Sequence, residues 1–86
     1  MRMDILRSEK GGYSKTAVLT KIDALNALLI AADSADPNVI RPQLDKVNAI
    51  KLTREKGGLF GKQGFSVEDT DAYIAKLEEQ LMEKLR

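Results

Sequence analysis

The sequence contains no cysteine, no histidine and no tryptophan. Without cysteine there are no disulfide staples, thiolate zinc sites, iron–sulfur clusters or thiol nucleophiles. Without histidine the commonest general base, most zinc sites and any imidazole pH switch are excluded. Proline occurs only at Pro37 and Pro42, and aromatic rings only at Tyr13, Phe60, Phe65 and Tyr73. Neither sign of charge dominates. Lys and Arg number 14 against 13 Asp and Glu, a net charge of +1, which lacks the basic excess of a dedicated nucleic-acid binder. The longest apolar run, Ala24–Ala32, is broken by Asn26, and a membrane-spanning helix needs about 20 apolar residues. The opening residues lead into no signal-peptide core. These absences predict a cytoplasmic, non-catalytic protein with no cofactor and no metal.

What remains is one small domain of 86 residues, 43% hydrophobic, with the composition of an ordered globule and the thin core of a short chain. It contains an internal repeat. Ile5 to Gly12 aligns with Lys51 to Gly58 at an offset of 46, with Glu-Lys-Gly-Gly identical in both. The second copy then inserts Leu59 to Gly64 before Phe65-Ser66, which match Tyr13-Ser14. Beyond the insertion Val18, Ile22, Leu25 and Leu29 meet Thr70, Ile74, Leu77 and Leu81. The copies span 3–32 and 49–86, joined by a linker over 33–48.

The expected fold is α+β and mostly helical: two strand–glycine turn–long helix units with a short connecting helix. Strands are expected over Met3–Ser8 and over Ala49–Arg54, where Ile50, Leu52 and Arg54 alternate with Lys51 and Thr53. The glycine pairs supply the turns, and Ser14 and Ser66 sit where helix N-caps belong. Glu68, Asp69 and Asp71 favour the second helix start through the helix dipole; Lys15 makes the first start weaker. The first helix is expected over Lys15–Ala32, with Leu19, Leu28 and Ile30 widening its stripe so that it is buried on more than one side. The linker helix is expected at Pro42–Asn48, with Leu44 and Val47 buried. The last helix runs from Val67, with Thr70, Ile74, Leu77 and Leu81 at coiled-coil spacing. Ile74, Leu77 and Leu81 are the expected self-association seam, giving a homodimer or higher oligomer. The absence of a C-cap glycine before Arg86 leaves open a fragment of a longer coiled coil.

Gly64-Phe65-Ser66-Val67-Glu68-Asp69-Thr70-Asp71-Ala72-Tyr73-Ile74 resembles the signature of the DivIVA-like domain: a glycine-aromatic turn, polar and acidic residues, then an apolar residue, Asp, any residue, an aromatic and an aliphatic. Asp71, Tyr73 and Ile74 take the signature positions, and Thr70 stands where valine is usual. Gly12-Tyr13-Ser14 is a looser match, with Leu19 in place of the Asp. The resemblance implies a bacterial scaffold in cell division, polar organisation or cell-wall synthesis. It would be located in the cytoplasm or at the inner face of the membrane. The implied partners are cell-division or cell-wall proteins and the membrane surface. Family members carry one turn motif per chain and pair it across a parallel coiled-coil dimer; here there are two.

Two segments stand out as contact candidates. Leu59 and Phe60, flanked by glycines and by Lys56 and Lys62, could seat an apolar tip in a lipid interface while the lysines meet anionic headgroups, or Phe60 could fold back as a core cap. Lys46, Lys51, Arg54, Lys56 and Lys62 stand against Glu55 alone over 46–62, which opens a nucleic-acid-binding alternative. Tyr13 and Phe65 are expected as core anchors. No nucleophile–base arrangement exists, the glycines do not fit phosphate-loop spacing, and Asp69 and Asp71 lie two apart, off a shared helix face.

Overall fold

A computed structural model describes residues 6–56 and 63–86. It is mostly helical, with a two-stranded antiparallel sheet and three helices in the order β1 (Ser8–Lys10), α1 (Lys15–Ala31), α2 (Pro37–Asn48), β2 (Gln63–Phe65) and α3 (Val67–Lys84). Each long helix starts at its expected cap. Ser14 Oγ accepts from the Ala17 N–H, and Ser66 Oγ from the Asp69 N–H. Of the two long helices, only α3 has acids in its first turn, Glu68 and Asp69, and a base, Lys84, in its last.

The strands differ from expectation. β1 begins where the first expected strand ends, and residues 49–54 form no strand. Their alternation is nonetheless expressed in burial: Ile50 and Leu52 are half-buried and packed on the core, while Lys51 and Thr53 are exposed. What they lack is a ladder, since only Arg54 forms a bridge, to Tyr13. The second strand forms instead at the end of the insertion, at Gln63–Phe65, because the backbone partner of β1 lies there.

The linker helix is longer than expected. Asp36 caps it by accepting from the Asn38 N–H at 2.8 Å, Pro37 occupies the first turn, and Pro42 lies inside the helix. An Asp-Pro pair is a helix start as readily as a stop, because N1 needs no N–H donor. Leu44 and Val47 are buried as expected, joined by Ile40.

α1 and α3 lie side by side and parallel. Their N-caps flank the sheet, and at the far end Lys84 Nζ donates to the Asp33 carboxylate. α2 runs back along α1, bringing the chain to Ile50, whose carbonyl accepts from Lys21 Nζ at 3.2 Å. A parallel helix pair within one chain requires such a return path, and α2 provides it. The core is Val18, Ile22, Leu25 and Leu28 of α1, Ile40, Leu44 and Val47 of α2, and Tyr73, Ile74, Leu77 and Leu81 of α3, closed by Leu6 and Leu85.

Two apolar expectations are corrected by this packing. Leu28 is buried, but Leu19 is 40% exposed and Ile30 74% exposed. Among the described residues no element covers the side of α1 that they occupy. Ile74, Leu77 and Leu81, expected to pair two chains, are 7%, 1% and 0% exposed within a single chain. α1 already occupies the place of a partner helix, so this seam is interior.

Candidate functional site

The two glycine-aromatic turns meet each other. Tyr13 and Phe65 form an antiparallel bridge in which each N–H donates to the other's carbonyl at 2.9 Å. A pair exchanging both hydrogen bonds lies on a local two-fold axis, and these two residues are equivalents in the repeat. The reciprocity extends outward. The Ser66 N–H donates to Arg7 O at 2.6 Å, and the Ser14 N–H to Thr53 O at 2.7 Å; Arg7 and Thr53 are counterparts at the offset of 46, Ser14 and Ser66 beyond the insertion. Ser8 faces Phe65, and Arg54 faces Tyr13. Each copy's leading segment thus satisfies the helix entry of the other copy.

Gly12 and Gly64 make this contact possible. A Cβ on Gly12 would stand inside contact distance of the Phe65 carbonyl oxygen, and one on Gly64 inside that of Tyr13. The structural counterpart of Gly12 is therefore Gly64 rather than Gly58, which shifts the insertion upstream. Gly11 serves a different purpose. Its φ of 71 lies in the left-handed region and closes the turn in which the Gly12 N–H donates to Glu9 O at 3.2 Å.

Around this crossing lie four side-chain contacts that sequence separation hid. Tyr13 Oη donates to Asp71 Oδ1 at 3.0 Å, joining the aromatic of the first turn to an acid of α3. Partial burial, and then this hydrogen bond, push the Tyr13 phenol above its usual range. Arg7 forks onto Asp69, Nε to Oδ2 at 2.9 Å and Nη2 to Oδ1 at 3.2 Å, and its backbone N–H also donates to Oδ2 at 3.1 Å. These bonds to Arg7 hold the Asp69 carboxyl below the ordinary carboxylate range. Glu9 Oε1 accepts from the Val67 N–H at 2.6 Å, so the first turn of α3 is met by a carboxylate of the chain itself. Lys15 Nζ stands 5.2 Å over the Phe65 ring. Arg7, Glu9 and Asp69 escaped notice as a group because they lie about sixty positions apart. The usable signal was the repeat itself, which sets Arg7 beside the entry to α3 once the two turns are crossed.

Comparison with family models, curated proteins and solved structures finds no match.

Below the Tyr13–Asp71 bond a cleft of about 470 Å³ opens between α1, the segment around Leu52, and α3. Lys21 and Lys51 line one side, Asp71, Ala75 and Glu78 of α3 the other, with Leu52 and Ile74 between. Of the remaining expected site residues, Tyr13 and Phe65 are half-buried and packed against the core, as anchors should be, and Tyr73 is 5% exposed. Lys56 is exposed, while Leu59, Phe60 and Lys62 lie outside the described residues. Within the basic segment, Arg54 directs Nε to Gly11 O at 2.7 Å. Among the described residues no helix is long and apolar enough to cross a membrane.

Proposed function

We propose that this chain is a non-catalytic scaffold or adaptor domain of the DivIVA-like kind, carrying in one polypeptide the two turn-and-helix units that such proteins bring together from two chains. The observation that supports it is the reciprocal crossing of Gly12-Tyr13-Ser14 with Gly64-Phe65-Ser66. A contact of this form is what a homodimer makes across its axis. Here both sides are covalently joined, so the paired state does not depend on concentration. The Ile74–Leu81 seam is engaged by α1, and any larger assembly uses other surfaces. Partner capture falls to the cleft beside Tyr13 and Asp71. Attraction to a membrane surface falls to the Lys56–Lys62 segment on its sequence alone. The nucleic-acid alternative is less favoured, since Arg54 of the basic segment is already bonded to the backbone.

A fluorescent fusion expressed in a dividing bacterium tests the proposal. Accumulation at the division site or the poles is expected. Even fluorescence throughout the cell, from a fusion shown intact on a gel, would remove the scaffold reading.

A further inference from the structure

The pseudo-two-fold between the copies implies two equivalent clefts, yet the sequence has treated them differently. Carrying the lining of the open cleft across the repeat replaces Tyr13 by Phe65, Asp71 by Leu19, Glu78 by Asn26 and Lys21 by Tyr73. The hydroxyl–carboxylate pair and the second carboxylate all disappear. Tyr73 is 5% exposed, against a half-buried Lys21, and Leu6 is 5% exposed against a half-buried Leu52. Ala75 is carried onto Asp23, so the equivalent face holds one carboxylate and no lysine, with Leu19, Tyr73 and Leu6 in place of Asp71, Lys21 and Leu52. The connecting helix α2 packs against α1.

The open cleft has walls of opposite charge. Lys21 and Lys51 come from α1 and the segment following α2; Asp71 and Glu78 come from α3. Lys21 gives one donor to Ile50 O, and an ammonium has two more. Asp71 and Glu78 are seven residues apart on one helix face, a rise of roughly 10 Å at ~1.5 Å per residue. An extended chain sends alternate side chains to opposite sides and advances about 3.3 Å per residue. Two cations two residues apart therefore span about 7 Å, within reach of both carboxylates for a side chain as long as lysine, while the intervening anions face Lys21 and Lys51.

We infer that the chain binds one extended peptide segment of alternating charge, at a single cleft per molecule, with the basic edge of that segment on α3 and its acidic edge on Lys21 and Lys51. This rests on the adaptor reading for its biological purpose and on the cleft alone for its chemistry. The test is an NMR titration of the labelled protein with two capped peptides of equal composition, Lys-Glu-Lys-Glu-Lys-Glu and Lys-Lys-Lys-Glu-Glu-Glu. The alternating peptide is expected to shift the amides of Leu52, Ala75 and Glu78, to saturate at one equivalent, and to lose affinity as salt rises. Glu78→Gln and, separately, the exposed Lys51→Ala should each weaken it roughly two- to fivefold, the range of a solvent-accessible ion pair. Equal affinity for the two peptides, no binding, or a second equivalent with shifts at Leu19 and Asn26 would each overturn the inference. A fusion that still gathers at the division site without peptide binding would leave the scaffold reading standing; single-site binding by a diffuse fusion would leave the cleft standing without it.

Discussion

At the scale of single residues, the two halves can be compared position by position. Val18 and Thr70 are equivalent and both 0% exposed, but Thr70 carries a hydroxyl with no hydrogen-bond partner among the described residues. A buried, unsatisfied polar group costs about 1–3 kcal/mol. Thr70→Val should therefore raise the urea midpoint without changing the slope, by an amount equivalent to roughly 1 kcal/mol. Asp69 gives a second test. Its carboxyl is held below the ordinary range by Arg7, so its contribution is present above the unfolded carboxylate pKa of about 3.9. It is lost as pH falls through the lower folded value. The melting temperature of the wild type should exceed that of Asp69→Asn at neutral pH. The gap should close as the pH is lowered below about 4. A gap independent of pH would mean that Asp69 acts through packing rather than charge.

At the scale of elements, the glycine crossing makes a paired prediction. Gly12→Ala and Gly64→Ala both push a methyl group into the carbonyl of the opposite turn, and each should destabilise by on the order of 1–3 kcal/mol, as overpacking does. The two losses should be similar, and thermal unfolding of both variants checks this. Pro42, exposed inside α2, removes one backbone donor from the helix. Pro42→Ala should stabilise by about 1 kcal/mol or more, read from the same denaturation curves. The helices were legible in the sequence because caps and periodicity are local: Ser14, Ser66 and the Val18–Leu25 and Thr70–Leu81 spacings sufficed. The start of α2 was misplaced because Asp36-Pro37 serves equally as the end of one helix and the beginning of the next. The strands were misplaced because a strand needs a backbone partner, and that of β1 lies more than fifty residues away, at the end of the insertion. The same distance hid the Tyr13–Asp71 bond, although both residues were singled out individually.

At the scale of the whole molecule, the seam of α3 decides between a helix offered to another chain and one already paired. Leu77 and Leu81 are 1% and 0% exposed. Leu77→Asp with Leu81→Asp should abolish the cooperative melt and the helical circular dichroism, because a carboxylate cannot be left unpaired in that core. A variant that stayed folded but halved its mass by light scattering would place the leucines between chains instead.

Joining the two units end to end has a genetic consequence. In an assembly of identical subunits every substitution lands twice, once on each side of the axis. Here it lands once, so Asp71 can be selected for what it touches while Leu19 drifts toward something else. The lopsided pair of clefts is what such freedom produces: a body that keeps the strength of a matched couple while its two flanks pursue separate trades.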